Sequence, residues 1–269
     1  MSVQQALRAI TLRQPGDSFP LNLPLFQHFD QLEFVTPVTF LVGDNGCGKS
    51  TLMEIIASLL RLPTLTQNSI DTHPLLAPAR EAAKAFRLVR STTIRRGVYF
   101  RSDDVTGFLQ TVQSARAEHD AIREELEQTL PEGWGRDRAT GMARAQAEAL
   151  AARYGDDPFA RSHGEKFLHL FKERIHRQGV YLLDEPETPL SPTNQLALIA
   201  LIQQAVARGA QFIIATHSPM LMALPDATII DLNCSPPEPI AWDEVDHVNL
   251  TRAFLNHPEA FLRHLAEDD

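Results

Sequence analysis

Short blocks of β-branched apolar residues alternate along the chain with segments whose apolar residues recur at helical spacing. Residues 7–12 and 33–42 have the composition of strands, and the second block stops at a glycine. A helix is predicted soon afterwards, from Lys49 to Leu60, because apolar residues recur at Leu52, Ile55, Ile56, Leu59 and Leu60. The pattern therefore predicts a strand, a glycine loop and a helix in direct succession.

The middle of the chain changes from strand-like to helical composition. Residues 62–79 combine prolines with polar residues and are predicted to form a surface loop, whereas residues 97–100 have the character of a short strand. From about residue 103 to residue 154, Ala, Glu, Gln and Arg recur at helical spacing, with a break at residues 131–135. We therefore expect a helical subdomain at about residues 103–178, inserted in the sheet core.

Strand-like and helical segments alternate again in the last part of the chain. A helix is predicted over residues 193–208 and a helical turn over 220–223, and strands are predicted over 180–183, 211–215 and 228–232. This alternation is typical of an α/β fold with a mostly parallel, helix-covered central sheet. Two amphipathic stretches split near Pro258 predict C-terminal helices at residues 247–267. We expect residues 1–269 to form one domain.

The charge balance limits the partners that bulk electrostatics would attract. The formal net charge of −9 argues against general binding to nucleic acid or to an anionic membrane, but it leaves open a local basic face. The candidates for such a face lie around the 97–100 strand and are Arg87, Arg90, Arg95, Arg96 and Arg101. A solvated arginine-rich edge explains the same residues equally well.

The cysteines and the N-terminal residues indicate in which cellular compartment the protein is expected. The chain has two cysteines, Cys47 and Cys234, and no CxxC pair, so neither a disulfide nor a zinc site is indicated. The N-terminus lacks the basic region and apolar run of a signal peptide, and no stretch approaches the roughly 20 apolar residues that span a bilayer. These features predict a cytoplasmic protein without membrane insertion.

Residues 43–50, Gly-Asp-Asn-Gly-Cys-Gly-Lys-Ser, match the phosphate-loop (P-loop) pattern G-x-x-x-x-G-K-[ST] at every position. Glycines let backbone N–H groups surround phosphate oxygens, and the following helix adds the positive end of its dipole. Lys49, which we expect to face solvent until phosphates bind, can reach the β- and γ-phosphates, and the Ser50 hydroxyl can bind magnesium. ATP and Mg²⁺ are therefore the predicted cofactors, and the predicted nucleotide-binding residues are Asn45, Gly46, Cys47, Gly48, Lys49, Ser50 and Thr51.

A buried strand over residues 180–183 runs into two acidic residues, Asp184 and Glu185. An acid at that edge of a sheet can hold magnesium, which predicts a metal-binding role for Asp184 beside Ser50. The next acid, Glu185, is placed to polarise an attacking water as a general base. Apolar strands often end in an acidic turn, so the prediction depends on the phosphate loop that accompanies it.

Two further segments carry polar groups suited to phosphate. The run Arg-Ser-His-Gly-Glu at residues 161–165 precedes a predicted helix at 166–175, where Ser162 and the N–H groups near Gly164 can bind a phosphate. A simple helix cap with a glycine is the alternative. His217 follows the 211–215 strand, at the kind of sheet edge where ligand-contacting groups collect, although a lone histidine is usually structural.

The order of these motifs resembles that of the ATP-binding-cassette (ABC) ATPase superfamily over about residues 7–232. In that resemblance residues 43–50 are Walker A, 162–165 the signature, 180–185 Walker B, Leu190-Ser191 the D-loop and His217 the switch histidine. The resemblance implies that Glu185 and His217 are catalytic and that Ser162, Gly164 and Glu165 act in trans on the nucleotide of a second subunit. It therefore implies an ATP-dependent homodimer that holds two nucleotides between its protomers.

Details of the motifs resemble the soluble SMC-like and RecF-like branch more than transporters, and most closely a group of small bacterial AAA-family ATPases. The signature ends in Glu165 rather than glutamine, and Glu187 stands where transporter subunits usually have threonine. No glutamine follows the 98–100 strand, where the nearest polar candidates are Asp103 and Asp104. Phe19 lies at a suitable distance before Walker A to stack on adenine, but a core phenylalanine is the preferred interpretation.

Three interpretations of the biological role follow from this resemblance. In the first, ATP-driven dimerisation acts on an unidentified protein partner or on nucleic acid, in repair, recombination or defence. In the alternative, the chain is the nucleotide-binding subunit of an ABC transporter. A third possibility is an ATP-dependent switch that binds a partner and barely hydrolyses ATP. The complete Walker B pair argues against the third.

Overall fold

The computed structural model describes residues 5–64, 76–94, 96–154, 163–175 and 178–266. Their strands, in chain order, are β1 (Leu7–Leu12), β2 (Gln31–Glu33), β3 (Val38–Val42), β4 (Phe86–Arg90), β5 (Gly97–Arg101), β6 (Val180–Asp184), β7 (Gln211–Ala215), β8 (Thr228–Asp231) and β9 (Glu238–Ile240). Their helices are α1 (Pro24–Gln27), α2 (Lys49–Leu60), α3 (Ala77–Ala83), α4 (Ser102–Thr129), α5 (Trp134–Tyr154), α6 (His163–Arg174), α7 (Pro192–Val206), α8 (Pro219–Met222), α9 (Asp246–Asn256) and α10 (Pro258–Ala266).

The central sheet has six strands in the order β5-β6-β7-β3-β8-β9. Neighbouring strands from β5 to β8 pair in parallel, and only the β8–β9 pair is antiparallel. The predicted α/β fold with a mostly parallel sheet is therefore confirmed. Since parallel strands end at one edge, the segments that follow β3, β6 and β7 meet there, and these segments contain the phosphate loop, Glu185 and His217.

The strands of the central sheet are apolar throughout because both faces are covered. Successive side chains point to opposite faces, so Leu41, Leu182 and Ile213 pack in the cluster that contains α2. Their neighbours along the strands pack instead in the cluster that contains α6 and α7. This two-sided burial explains why the sequence shows short apolar runs rather than polar-apolar alternation.

A second sheet of three antiparallel strands has the order β2-β1-β4. The buried amide side chain of Gln211 joins this sheet to the central one. Its Oε1 accepts from the Leu7 backbone N–H at 2.9 Å, and its Nε2 donates to the Leu7 carbonyl at 2.8 Å. Both hydrogen-bonding groups of the amide are thereby satisfied inside the protein, which fixes β1 against the first residue of β7.

The prediction of one strand over residues 33–42 is wrong in part, because β2 and β3 are separate strands in different sheets. The two short strands β4 and β9 were not predicted, because Phe86–Arg90 is interrupted by arginines and Glu238–Ile240 is three residues long and contains a proline. The surface loop predicted over 62–79 ends in α3, and residues 65–75 lie outside the described residues.

The predicted helices around a break at residues 131–135 are confirmed as α4 and α5, which pack against each other. Helix α6 lies on the central sheet instead, where Phe171 contacts the rings of Phe100 and Phe212. The division into a core and a helical subdomain stays a prediction. The two C-terminal helices are confirmed as α9 and α10. None of the helices among the described residues is long and apolar enough to cross a membrane.

Candidate active site

The phosphate loop joins β3 to α2, as the sequence predicts. Three of its glycines have positive φ angles, 145° at Gly43, 84° at Gly46 and 108° at Gly48. Residues with a Cβ are strained in this left-handed region, so the loop needs glycine at these positions. At Gly43 a Cβ would also lie 2.8 Å from the Cys47 sulfur. The glycines therefore determine the curvature that exposes backbone N–H groups.

Lys49 does not face solvent, and that expectation is wrong. The residue is 6% exposed, and its Nζ donates to the Gly43 carbonyl at 2.8 Å and to the Asp44 carbonyl at 2.9 Å. An ammonium group needs acceptors for its protons, and the loop carbonyls provide them. The lysine therefore ties the start of the loop to the start of α2.

The Asp184 carboxylate, at the end of β6, accepts two hydrogen bonds. Ser50 Oγ donates to Oδ1 at 3.2 Å, and the buried Tyr99 hydroxyl donates to Oδ2 at 3.0 Å. Burial raises the pKa of Asp184 to about 6, against the lowering effect of both hydrogen bonds. A hydroxyl and a carboxylate in contact form an oxygen donor pair that suits Mg²⁺ together with phosphate oxygens. The described residues contain no cluster of three or more His, Cys, Asp and Glu side chains that could hold a metal ion.

Further charged groups surround this carboxylate. Burial raises the pKa of Glu54 on α2 to about 7, and the charge of Arg101 opposes the rise. Burial lowers the pKa of Arg101, but its neighbours Tyr99, Asp104, Glu54 and Asp184 outweigh this effect and raise it overall. Arg101 is thus half-buried among acids beside the candidate metal site. The predicted basic face for nucleic acid therefore gains no support from Arg101.

Glu185 and His217 lie side by side at the edge of the sheet. Glu185 has a φ of 49°, a strained value for a residue other than glycine, and its backbone N–H donates to the Ala215 carbonyl at 2.9 Å. The Glu185 Oε1 lies 4.0 Å from His217 Nε2. Burial and then the charge of Lys49 lower the pKa of His217, which favours the neutral imidazole at pH 7. The two side chains therefore face the same space beside the phosphate loop.

Glu187 makes a hydrogen bond that its position in the sequence did not indicate. Its Oε1 accepts from the His217 backbone N–H at 2.6 Å, and burial raises the pKa of its carboxyl group. The hydrogen bond connects the turn after β6 to the end of β7. It thereby fixes the backbone of His217, the predicted switch histidine.

Ser102, the first residue of α4, was also missed. Its Oγ donates to the Asp184 carbonyl at 3.0 Å and lies within hydrogen-bonding distance of the Glu185 carbonyl. Ser102 therefore occupies the place at the end of β5 for which Asp103 and Asp104 were the sequence candidates. The link connects α4 directly to the backbone of the two predicted Walker B acids.

Of the predicted signature residues, Ser162 lies outside the described residues, Gly164 is buried and Glu165 is exposed in the first turn of α6. A Cβ at Gly164 would lie 2.5 Å from Asn194 Nδ2 and 2.9 Å from the Pro189 carbonyl oxygen. The glycine is thus required for the close packing of α6 against the turn that contains the predicted D-loop. The role of this segment in trans remains a prediction.

Two further aromatic side chains are of interest, His247 for its contact with His217 and Phe19 for its exposure. His247 on α9 contacts His217 edge to face, with 5.9 Å between ring centroids, and only the tertiary structure reveals it. Phe19 is 63% exposed, so the preferred interpretation as a core phenylalanine is wrong. Stacking of Phe19 on adenine stays a prediction.

The α/β fold and the meeting of phosphate loop, Asp184, Glu185 and His217 at one sheet edge define a phosphate-loop ATPase. The chain belongs to the ABC transporter family, whose profile matches residues 36–188. A second profile, described as an AAA domain, putative AbiEii toxin, Type IV TA system, matches residues 154–223. As a member of the ABC family the chain binds ATP and hydrolyses it.

Curated relatives include two import proteins. The chain is 27% identical over 254 residues to the cobalt import ATP-binding protein CbiO of Salmonella typhimurium, covering 87% of this chain and 84% of the relative. It is 28% identical over 219 residues to the hemin import ATP-binding protein HmuV of Nocardia farcinica, covering 78% of this chain and 67% of the relative.

Solved structures with a similar fold include cbiO1 from Clostridium perfringens, part of the transporter complex cbiONQ. Its TM-score is 0.48 at 16% identity, with 98% of this chain and 100% of that chain covered. The SMC head domain from Thermotoga maritima gives a TM-score of 0.42 at 15% identity, with 88% and 100% covered. The family profiles and the curated relatives do not support the SMC-like and RecF-like branch specifically.

Proposed function

We propose that this chain is the ATP-hydrolysing subunit of an ABC transporter. The observation that carries the proposal is the match of the ABC transporter profile to residues 36–188, together with relatives named as import ATP-binding proteins that align with most of the chain. The transporter was the alternative interpretation of the sequence, and it now replaces a nucleic-acid partner as the preferred one.

In the proposed reaction the phosphate loop binds the nucleotide and Lys49 exchanges its loop carbonyls for phosphate oxygens. Ser50 and Asp184 would hold Mg²⁺, which when bound neutralises phosphate charge. Glu185 orients and deprotonates the attacking water. His217, kept neutral by burial and by Lys49, donates a hydrogen bond towards the γ-phosphate while Glu187 holds its backbone.

A second copy of the chain completes the site in this proposal. Ser162, Gly164 and Glu165 lie at the start of α6 in the sequence, and the buried Gly164 packs against Pro189 beside the predicted D-loop. Signature and D-loop would therefore move together. A two-fold dimer would form two identical sites, each with the phosphate loop of one protomer and the signature of its partner.

A membrane component is the partner in this proposal, and helix α4 is the element that would transmit the nucleotide state to it. Ser102 joins α4 to the backbone of Asp184 and Glu185, so a change at these acids displaces the start of the helix. Of the basic residues predicted to meet nucleic acid, Arg101 lies instead among the acids of the candidate site. Arg95 lies outside the described residues.

Fractionation of cells that express the tagged chain at its native level tests the proposal. We expect the chain in the membrane fraction, released by detergent and not by salt, and enriched there in the Glu185→Gln variant. The control is Ser114→Ala, an exposed position on α4, which should distribute like the wild type. A chain found wholly in the soluble fraction, with ATPase activity stimulated by DNA, would contradict the transporter function.

A further inference from the structure

Two turns that carry site residues leave the central sheet side by side, one after β6 and one after β7. The first contains Glu185 and runs into the predicted D-loop, Leu190-Ser191, and the second contains His217. The paired residues of the two strands end with Asp184 and Ala215. Contacts outside the sheet must therefore determine where His217 lies relative to the first turn.

Glu187 provides one such contact, as described above, and the side chain of Gln195 on α7 provides a second. The Gln195 Oε1 accepts from the Ser218 hydroxyl at 2.6 Å, and its Nε2 donates to the Leu190 carbonyl at 3.3 Å. Ser218 follows His217 directly, and Leu190 belongs to the predicted D-loop. The two ends of one amide therefore bridge the two turns.

The hydroxyl of Ser218 is itself fixed by further hydrogen bonds. The residue is 6% exposed, and its backbone N–H donates to Thr216 Oγ1 at 3.0 Å. Its Oγ caps α8 by accepting from the Leu221 backbone N–H at 3.1 Å. A serine hydroxyl has one proton to donate, and Gln195 accepts it. A displacement of Gln195 is therefore passed to the backbone beside His217.

Backbone hydrogen bonds close this bridge into a ring. The Leu190 N–H donates to the Glu187 carbonyl at 2.8 Å, and the His217 N–H donates to Glu187 Oε1 at 2.6 Å. With Gln195 and Ser218 these groups restrain the histidine from both sides, at its own N–H and at the residue that follows it. Hydrogen-bond networks whose members are satisfied give a site its rigidity.

We propose that Gln195 is a positioning residue for ATP hydrolysis, which holds His217 in place by linking Ser218 to the backbone of Leu190. The role rests on the proposed contact of His217 with the γ-phosphate. It depends neither on the transporter function nor on a second protomer. Because Leu190 belongs to the predicted D-loop, a movement of that loop is passed through Gln195 to the histidine.

The variant Gln195→Met tests this role, since it keeps the length of the side chain and removes both hydrogen bonds. We expect kcat for ATP hydrolysis to fall about fivefold to thirtyfold, while KM for ATP stays within about twofold of the wild type. Gln204→Met is the matched control, an exposed glutamine on the same helix, and it should change neither constant.

A double variant tests whether Gln195 acts through Ser218. Ser218→Ala removes the other partner of the same hydrogen bond, and residues that share one interaction have effects that do not add. We therefore expect Gln195→Met/Ser218→Ala to lose no more activity than the more affected single variant. If Gln195→Met fails to fold, Gln195→Glu must lower kcat, because it keeps an acceptor for Ser218 but has no proton for Leu190.

Carbon-13 NMR of histidine-labelled protein without nucleotide reports on the His217 ring directly, and the His217→Gln variant identifies its signal. We expect this signal to shift in Gln195→Met and to stay in place in Gln204→Met. Unchanged kcat in Gln195→Met, a fall in kcat without a shift of the His217 signal, or additive losses in the double variant would overturn the proposal. Wild-type hydrolysis by His217→Gln would refute the contact of His217 with the γ-phosphate, on which the proposal rests.

Discussion

At the scale of single residues, the buried Asp184 carboxyl group lowers the stability of the fold when it is charged. Burial raises its pKa from 3.8 to about 6, so the folded protein holds this proton more tightly than the unfolded chain does. A carboxyl group whose pKa is higher in the folded protein than in the unfolded chain stabilises the fold while it is protonated. This contribution is complete at a pH below the pKa of the unfolded chain, and it is lost as the pH rises through about 6. At neutral pH the fold therefore carries a buried charge, which the proposed magnesium site requires.

The variant Asp184→Asn tests this conflict. The amide keeps an acceptor for Ser50 and removes the buried charge, so the free energy of unfolding at pH 8, without metal or nucleotide, should rise by on the order of 2 kcal/mol. The gain should shrink at pH 4.5, where the wild-type carboxyl is protonated, and ATP hydrolysis should be lost. Urea unfolding at both pH values measures it, with the exposed Asp30→Asn as control. A variant that is less stable than the wild type at pH 8 would refute the explanation.

At the scale of elements, the start of α4 is the point where a helix contacts the backbone of the two predicted Walker B acids. The sequence suggested an acidic residue here, since Asp103 and Asp104 follow β5 directly. The structure shows a serine hydroxyl bonded to the carbonyls of Asp184 and Glu185 instead. A short hydroxyl fits against these carbonyls, which lie at the end of the adjacent parallel strand.

Ser102→Ala is expected to remove this hydrogen bond without removing any group that is predicted to bind ATP. The loss of a part-buried hydrogen bond costs about 1 kcal/mol. We therefore expect kcat for ATP hydrolysis to fall about threefold to tenfold, while KM for ATP stays within about twofold of the wild type. Steady-state kinetics measure both constants. Ser114→Ala, exposed on the same helix, should change neither, and a rise in KM with unchanged kcat would contradict the positioning role.

At the scale of the whole molecule, the predicted nucleotide site is divided between two protomers. The signature serine and Walker lysine are 162 − 49 = 113 residues apart in sequence, with the helical segment between them. In the shared site proposed above, no protomer completes its own site. ATP then joins two chains, and hydrolysis releases them.

Glu185→Gln is expected to be a monomer without nucleotide and a dimer with MgATP, since the amide keeps the shape of the site and removes the general base. Adding Ser162→Arg should abolish the dimer, because a bulky cation would block the partner's phosphate. Light scattering after size exclusion reports the mass, with MgADP as the nucleotide control. A Glu185→Gln protein that stays monomeric at saturating MgATP would exclude the shared site.

Features that depend on local chemistry could be predicted from the sequence. The phosphate loop follows from glycines whose positive φ angles no other residue adopts easily, at Gly43, Gly46 and Gly48. The parallel sheet follows from apolar runs that must be covered on both faces, and the meeting of Asp184 and His217 at one edge follows from the sheet. Each of these signals is contained within a few neighbouring residues or in the order of the elements.

Contacts between residues far apart in sequence could not be predicted and depend on the packing of the whole chain. It placed Lys49 against its own loop rather than in solvent, Glu187 beneath His217, and Arg101 among acids. It also brought Arg61, Arg96 and Arg174 to the wall of one groove, although α4 and α5 separate Arg174 from the other two in sequence. No local pattern encodes these pairings, because hydrogen bonds and charges act over a few ångströms in space, and packing of the whole chain decides which residues come that close.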